Sequence, residues 1–456
     1  MTVRGKSYCI RKKHNAFGLF ILITFCLIVI SDIYIYQLRN LSGNPIRSDG
    51  WGYYSYLPAV FDYHDLTFSF SDDPAKDVTI RVDNEGHYIN KYPIGVAILE
   101  SPFFFVVDIA MKIFDQQSAN GYSMPYQIAM LISAIVYFLS GLLILYKVLN
   151  IYFEKNIVIL TLILMTYATN LFHYASFDAS FSHIYSFFLI SLFVYITIKK
   201  QNFQSVWLDF AGGICLGLVF VTRNPNIIVV LFYFFYNCNS LKKIRRRIVQ
   251  ILQPKSILIN ICGFILPVSL QCIYWLKVSG KLIIRSYDAS ETFSWLFPHI
   301  INVLFSVQKG LFFYSPILLF SFIGIVLMIK VKNELVLPIF TVMLFHIYVT
   351  SSWDCWQYGG SFGQRPFIDF FVFYAIALAF SLQYMNDLKF ANVKNELHTT
   401  SVLDLGKYIF IVFIFISIKL MLCYWHGILP FADATMIDIM NCLNWNFDEM
   451  RFTLIK

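Results

Sequence analysis

The sequence predicts an all-α polytopic membrane protein with about eleven transmembrane helices and interfacial helices in its first outer loop. Of its 456 residues, 58% are hydrophobic and 14% are charged, whereas a soluble domain contains about 45–50% apolar and about 25% charged residues. The apolar excess comes from bulky side chains, including 47 Phe and 29 Tyr, so the composition fits neither a disordered nor a fibrous protein. Apolar runs long enough to cross a bilayer recur along the chain.

Eleven apolar runs predict the spanning helices. The first follows a basic N-terminal stretch and is longer than the hydrophobic part of a signal peptide, so we expect it to remain as a helix. The runs are centred on residues 17–36, 125–147, 156–176, 183–198, 206–222, 224–239, 256–276, 311–329, 335–351, 366–385 and 408–427.

A twelfth apolar stretch, residues 96–113, is predicted not to span. It contains Glu100, Asp108 and Lys112, whose spacings are multiples of four and therefore place them on one stripe of a helix. Each charge at the bilayer centre would cost about 2.5–3.5 kcal/mol. The stretch is therefore predicted to form an interfacial amphipathic helix.

The Lys and Arg residues predict the orientation in the membrane. With 96–113 left out of the spans, the short basic segments all fall on the side of the N-terminus, including residues 240–255 with their six Lys and Arg residues. Basic segments favour the cytoplasm, so we expect a cytoplasmic N-terminus and an outer C-terminus. The same bias accounts for the net charge of +8 without a nucleic-acid partner.

A single integral membrane domain is expected over residues 1–456, because no soluble domain, internal repeat or long linker is visible in the sequence. The nine cysteines include no Cys-x-x-Cys pair, so neither a disulfide framework nor a zinc module is predicted. The outer segments should be residues 37–124, which carry the interfacial helices, residues 277–310, residues 352–365 and the short tail 428–456.

Six unusual polar motifs are all placed on the outer face by this topology. Carboxylates, cations and aromatic rings from distant parts of the chain would then meet at one membrane surface, as at the rim of a pocket. The motifs are SDGWGYYSYLP at 48–58, KYP at 91–93, FDASFSH at 177–183, TRNP at 222–225, RSYDASE at 285–291 and SSWDCWQYGGSFGQR at 351–365.

The order of these motifs, and their predicted placement on one side of the membrane, resemble those of the GT-C membrane glycosyltransferases that use a polyprenyl-phosphate sugar. The resemblance is to the protein O-mannosyltransferase and lipid A aminoarabinose transferase type. The shared features cover most of the chain. They are an acidic residue soon after the first span, a Lys-Tyr-Pro element before the second, an Asp-containing outer turn after the third, and a closing Trp-rich Gly-Gly-Ser-Phe-Gly-Gln-Arg loop. The resemblance implies a GT-C-like fold, and the short outer tail leaves the acceptor open.

The resemblance implies that Asp49 is the catalytic base. A positioned carboxylate that removes the proton of an acceptor hydroxyl contributes about 10²–10⁴-fold to a rate. The alternative is structural, because Asp before Gly is a common turn former and helix N-cap. Asp62 and Asp65 are the other candidates from the same loop.

Three cations are the predicted ligands of the donor phosphate: Lys91, Arg223 and Arg365. Lys91 matches the position at which the family places a phosphate-contacting Lys, and an Arg fork suits two phosphate oxygens. The alternative for each is an interfacial side chain that reaches toward lipid headgroups. Arg223 also lies in an Arg-Asn-Pro sequence that is typical of a tight turn.

Substrate contacts are predicted after the third span and in the aromatic motifs. The resemblance places a functional carboxylate near Asp178, while helix capping by Asp178 and a hydrogen-bonded His183 on the first turn of the next helix are the structural alternatives. Trp and Tyr are also common at any membrane interface. The predicted substrate-binding residues are Asp178, His183, Tyr53, Trp353 and Trp356.

A divalent metal is one possible cofactor, and the cofactor is otherwise unknown. Hard cations prefer oxygen ligands, and Asp288, Glu291 and Asp354 could supply them from the outer loops. Their spacing does not require a metal.

The predicted function is transfer of a sugar, with inversion, from a polyprenyl-monophosphate donor to a hydroxyl of a glycan, lipid or protein acceptor. The resemblance suggests a bacterial inner membrane, with the site on its periplasmic face. One alternative is a transporter or flippase of lipid-linked sugars, which should show inverted repeats and charges near the bilayer midplane. Another is a ligase or polymerase that uses lipid-pyrophosphate donors.

Overall fold

The computed structural model describes residues 14–38, 44–114, 120–203, 205–287, 291–391 and 399–445. Within these ranges the chain is almost entirely helical, and its strands form two short antiparallel hairpins. The predicted all-α class is confirmed.

The first half of the chain begins with a long helix and then forms a group of short elements before the next long helices. Its elements are α1 (His14–Leu38), α2 (Asp49–Tyr54), α3 (Tyr56–Phe61), α4 (Pro74–Thr79), β1 (Ile80–Val82), β2 (Tyr88–Asn90), α5 (Gly95–Ile113), α6 (Met124–Leu149), α7 (Lys155–Tyr167), α8 (Leu171–Ser176), α9 (Ser182–Asn202) and α10 (Val206–Thr222).

The second half contains two 3₁₀ helices, Asn224–Val229 and Pro316–Leu318. Its other elements are α11 (Val230–Phe235), α12 (Leu241–Ile251), α13 (Pro254–Ser279), α14 (Ile300–Phe305), α15 (Leu311–Tyr314), α16 (Leu319–Lys330), α17 (Val336–Ser352), α18 (Pro366–Asp369), α19 (Phe371–Asp387), β3 (Lys389–Ala391), β4 (Thr399–Ser401), α20 (Val402–Trp425) and α21 (Met436–Asn444).

Five helical segments in the described ranges are long and apolar enough to cross a membrane, so the chain is a polytopic membrane protein. They are Ala16–Leu38, Met124–Leu149, Ser182–Gln201, Pro254–Ser279 and Val402–Trp425. Five shorter apolar helices accompany them: Lys155–Tyr167, Val206–Thr222, Asn224–Phe235, Pro316–Lys330 and Val336–Ser352.

Three of the eleven predicted apolar runs are divided between helices. The run 311–329 restarts at Pro316, which has no N–H to donate, and the run 366–385 divides at Phe370 between α18 and α19. In the run 156–176, α7 and α8 are separated near Asn170, whose amide donates to the carbonyl oxygen of Phe362 at 3.1 Å. This last interruption therefore contacts the motif at 351–365.

The stretch predicted to be an interfacial amphipathic helix forms α5, but its acidic side chains do not face water. Glu100 and Asp108 are 2% and 5% exposed. Glu100 accepts a hydrogen bond from Tyr185 of α9 at 2.7 Å, and Asp108 accepts one from Tyr126 of α6 at 3.0 Å. The stripe is buried because α6 and α9 supply hydrogen-bond donors for it.

Helices α9, α10 and α13 connect two ends of the bundle. The α10–α13 pair is very close, since a Cβ atom on Gly217 would lie only 2.5 Å from the carbonyl oxygen of Phe264. Small residues allow this approach in membrane helices. Next to them α19 is almost completely enclosed, with Phe371 and Tyr374 at 0% exposure. These packed helices form the scaffold of the polar motifs.

Residues 44–114 and the first turn of α6 are folded around an aromatic cluster. Trp51, Phe68 and Tyr126 are each 0% exposed, and Phe104 is 1% exposed. The O–H of Tyr56 donates to the carbonyl oxygen of Tyr92 at 2.6 Å. These contacts tie α2 and α3 to the segment that follows β2, so the SDGWGYY and KYP motifs are held side by side.

Gly50 is where α2 meets the turn before α9. A Cβ atom on Gly50 would overlap the side chain of Ser180, and overpacking of this kind costs about 1–3 kcal/mol. We expect Gly50→Ala to lower the midpoint of thermal unfolding by several degrees. Gly360→Ala is the matched control, because its Cβ atom would meet Phe431 at an ordinary 3.7 Å. Equal midpoints of thermal unfolding in the two variants would contradict this packing.

Candidate functional site

Asp49 lies at the start of α2 and forms an ion pair with Arg365, which precedes α18. The carboxylate Oδ2 is 2.8 Å from a terminal guanidinium nitrogen of Arg365, and the two side chains are 21% and 11% exposed. The guanidinium also lies 5.2 Å from the centre of the Phe181 ring. The structure thus joins the first outer motif to the last one, about 300 residues further along the sequence.

Lys91 and Tyr92 approach Asp49 from the turn after β2. The Tyr92 hydroxyl is near enough to Asp49 to help lower the pKa of that carboxyl, and the Tyr92 ring centre lies 4.6 Å from that of Tyr53. The Lys91 ammonium is 5.1 Å from the centre of the Tyr92 ring. Ser286 donates to the carbonyl oxygen of Lys91 at 2.9 Å, which fixes this turn.

The charges around Asp49 keep it ionised. Burial alone would raise the pKa of Asp49, but the charge of Arg365, the hydrogen bond from Tyr92 and the charge of Lys91 together hold this pKa below its ordinary value. Burial lowers the pKa of Lys91, while the charges of Asp49 and Glu291 oppose that shift. Asp49 is therefore an ionised carboxylate that lies beside two cations, Arg365 and Lys91.

Lys309 supports the loop that carries Arg365, and the sequence analysis did not single it out. Its ammonium donates to the carbonyl oxygens of Ser361 and Phe431, the latter at 2.6 Å, and the residue is only 1% exposed. Burial, assisted by the charge of Arg365, lowers the pKa of Lys309 to about 8. The signal available in the sequence was a Lys next to an apolar run, because a Lys that becomes buried there needs hydrogen-bond acceptors or an ion-pair partner.

Arg223 is held in a second polar cluster around Asp369. The Arg223 Nε lies 3.3 Å from one carboxylate oxygen of Asp369, His183 Nδ1 lies 2.8 Å from the other, and Asn226 donates to the carboxylate at 2.9 Å. Asp369 is 0% exposed. His183 therefore occupies the hydrogen-bonded position on the first turn of α9 that was its structural alternative.

Asp369 was not predicted, although an ionisable residue within an apolar run is by itself a reason to expect a functional role. Its sequence neighbours Phe367, Ile368, Phe370 and Phe371 made the run read as purely apolar. Arg223 also interacts electrostatically with Tyr53 and Arg365, so the Asp369 cluster adjoins the Asp49 pair.

Asp178 lies in a third cluster, which it forms with Arg47 and His173. Arg47 binds one of its carboxylate oxygens and His173 the other, each at 2.9 Å. Trp425 donates to His173 Nδ1 at 2.9 Å, so the ring proton is on Nε2 and is donated to Asp178. The observed role of Asp178 is to anchor the turn before α9.

The predicted aromatic contacts divide between two positions. Tyr53 lies directly beside the Asp49 pair, and burial raises its pKa to about 12. Trp353 packs against Phe293 and Tyr287, with ring centres 4.7 and 5.6 Å apart. Trp356 is 9% exposed and its carbonyl oxygen accepts from Gln364 at 3.1 Å, so it supports the loop before Arg365.

The predicted metal ligands do not form a cluster in the part of the chain that the structure describes, where no group of three or more His, Cys, Asp or Glu side chains could hold a metal. Asp354 accepts hydrogen bonds from Thr292 and Ser294, the second at 2.5 Å. Glu291 lies 3.9 Å from Arg81, so their charges balance. Asp288 lies outside the described residues.

No protein-family profile matches the chain, and no curated protein matches it. Among solved structures, it is similar to the Archaeoglobus fulgidus oligosaccharyltransferase complexed with Zn and sulfate, at 13% identity and a TM-score of 0.46 over 90% of this chain and 53% of that one. It is also similar to the oligosaccharyltransferase AglB of the same organism, in complex with an inhibitory peptide and a dolichol-phosphate, at 12% identity and a TM-score of 0.44 over 93% and 56%.

The chain thus spans about half the length of these two oligosaccharyltransferases. Identity this low says nothing about individual site residues.

Proposed function

We propose that this protein is a membrane glycosyltransferase that transfers a sugar from a polyprenyl-monophosphate donor to an acceptor hydroxyl, with inversion at the anomeric carbon. The observation that carries this proposal is the Asp49–Arg365 ion pair, flanked by Lys91 and the rings of Tyr53 and Tyr92. It combines a carboxylate that can accept a proton with cations that can bind a phosphate.

The charge arrangement of the site supports a phosphate donor. Arg365 pairs with Asp49 and Arg223 pairs with Asp369, and Lys91 adds a positive charge that Asp49 and Glu291 partly balance. A sugar joined to a lipid through a single phosphate carries one negative charge, which these cations can bind when their pairs with the carboxylates weaken.

The reaction needs only groups of this cluster and its two substrates. The acceptor hydroxyl gives its proton to Asp49 while its oxygen attacks the anomeric carbon on the side opposite the phosphate. The bond from that carbon to the phosphate oxygen breaks, and its electron pair leaves with the lipid phosphate. Lys91 and Arg365 stabilise the charge that grows on this oxygen.

Donor binding would also make Asp49 a stronger base. With Arg365 paired to it, Asp49 has a low pKa and accepts protons weakly. A phosphate that takes over hydrogen bonds of Arg365 weakens this pair, and burial, the largest single influence on Asp49, then raises its pKa. Asp49 is therefore a stronger base in the donor complex than in the free enzyme.

The decisive assay gives the purified protein radiolabelled polyprenyl-monophosphate sugars and a membrane extract as the source of acceptors, in detergent micelles. A transferase releases lipid phosphate and labels an acceptor without any sealed compartment. Flipping of the donor in proteoliposomes without transfer in micelles would identify a transporter instead. Transfer from pyrophosphate donors alone would identify a ligase or polymerase.

Lys91→Met is expected to raise the donor KM about tenfold, because one charge-assisted hydrogen bond to the phosphate is lost. The measurement is the transfer rate against donor concentration. Lys281→Met is the control, since Lys281 is an exposed partner of Glu85 outside the site. An unchanged donor KM in the Lys91 variant would remove this residue from the phosphate site.

We also propose that the site lies on the periplasmic face of a bacterial inner membrane, with a cytoplasmic N-terminus, from the distribution of Lys and Arg. Cys355, which is exposed in the outer Trp-rich motif, provides a test. We expect a membrane-impermeant thiol reagent to label intact spheroplasts at this residue, and Cys355→Ser to abolish that labelling. Labelling that requires broken membranes would reverse the orientation.

A further inference from the structure

A second polar region lies at the end of the bundle away from Asp49. Helix α9 has 21 residues and α13 has 26, which at 1.5 Å per residue correspond to about 30 and about 40 Å. The first residues of α9 contact the Asp369 cluster, while Lys200 lies in its last turn. The two ends of these helices therefore lie at opposite faces of a membrane.

Helix α12 lies at this far end and is amphipathic. Residues 240–255 contain six Lys and Arg and no Asp or Glu. Arg247 fixes the helix to the bundle, because its guanidinium donates to Gln201 at 2.9 Å and to the carbonyl oxygen of Tyr233 at 3.0 Å. The sequence analysis treated this segment as a basic loop, whereas the structure forms a helix with a distinct apolar face.

That apolar face is not covered by protein in the described chain. Leu241 is 85% exposed, Leu252 58% and Ile248 43%. Lys242, Arg245 and Arg246 on the same helix are also exposed. An exposed apolar stripe combined with exposed cations is typical of a helix that lies in the membrane interface.

A cavity of about 300 Å³ opens beside the last turn of α12. Its walls are mainly apolar and come from α9, α10 and α13, and Leu252 lines it from the α12 side. The one ammonium group in its lining belongs to Lys200, which pairs with Asp209 and donates to Tyr233 at 2.6 Å. A hydrocarbon chain therefore suits the cavity, while α12 offers positive charge near its mouth.

We propose that α12 and this cavity bind an anionic phospholipid of the leaflet opposite the Asp49 site. One acyl chain enters the cavity, and the headgroup phosphate binds Lys242, Arg245 and Arg246. Charge complementarity selects an anionic lipid, since each Lys or Arg near the surface contributes about 1 kcal/mol toward such lipids. This site is independent of the proposed transfer reaction.

Phosphatidylglycerol is titrated into the purified full-length protein in detergent, and the midpoint of thermal unfolding is followed. Wild-type protein should show a saturable increase with phosphatidylglycerol and little change with phosphatidylcholine of the same acyl chains or with inorganic phosphate. The combined variant Lys242→Gln, Arg245→Gln and Arg246→Gln should need about 100-fold more phosphatidylglycerol. Combined Lys147→Gln, Lys155→Gln and Lys407→Gln removes three charges at the same face outside the cavity and should behave as wild type.

The cavity is tested through Gly212, which lines it and where a Cβ atom would have ordinary contacts, the nearest at 3.6 Å. Gly212→Leu should fill the cavity and abolish the saturable response, and Gly212→Ala should retain it. Equal weakening by both triple variants, a wild-type response in Gly212→Leu, or an equal effect of phosphatidylcholine would each overturn the proposal. Should Gly212→Leu fail to fold, the comparison of the two triple variants decides.

Discussion

Asp49→Asn should lower kcat for sugar transfer by about 10²–10⁴-fold, the contribution expected of a positioned general base. Asn has nearly the same size and can still accept a hydrogen bond from Arg365, so the loop should keep its geometry. The donor KM should stay the same or fall, because Arg365 is no longer neutralised by a carboxylate and binds the phosphate more freely. The measurement is kcat and donor KM from full saturation curves.

Asp65→Asn is the matched control for this experiment. Asp65 belongs to the same outer segment and was another candidate base, but its carboxylate accepts hydrogen bonds from Thr67 and Ser69. We therefore expect Asp65→Asn to alter stability and leave kcat near wild type. A folded Asp49→Asn protein with full kcat would exclude Asp49 as the base, and loss of kcat in Asp65→Asn alone would move the base to that residue.

The sequence predicted the membrane class and singled out the polar motifs because both depend on local composition. A run of apolar residues needs a bilayer or a protein interior wherever it folds, and Asp49, Lys91 and Arg365 stood out as charges beside such runs. Their mutual geometry was not predictable in the same way. The Asp49–Arg365 pair depends on how helices far apart in sequence pack together, and no spacing rule describes that packing.

The missed residues share one physical reason. Asp369 and Lys309 are buried, each is neutralised or hydrogen-bonded by partners from other segments, and their sequence neighbours are mainly apolar or small. Three apolar runs also looked continuous because hydropathy does not register where a helix is interrupted. The interruptions near Asn170, at Pro316 and at Phe370 free backbone groups that side chains and neighbouring segments can satisfy, as Asn170 does for the carbonyl oxygen of Phe362.

Arg365→Gln should shift the pH dependence of transfer as well as weaken donor binding. In the wild-type free enzyme the pKa of Asp49 lies below its ordinary value of 3.8, so kcat/KM should not fall through Asp49 between about pH 7 and about pH 5. Without Arg365 the strongest influence that lowers this pKa is gone and burial dominates. Asp49 then takes up a proton at higher pH. The acid limb of the pH profile, where kcat/KM falls as the pH is lowered, therefore moves to higher pH.

Two further variants separate this shift from a simple loss of charge. Arg365→Lys keeps a positive charge beside Asp49 and should leave the acid limb nearly where it is in wild type, with a higher donor KM because the guanidinium fork is lost. Arg223→Gln removes a cation that is paired with Asp369 rather than Asp49, so it should raise the donor KM without moving the limb. If Arg223→Gln moves the limb as far as Arg365→Gln does, the pH dependence follows the total charge of the site, and the Asp49–Arg365 pair does not control the base.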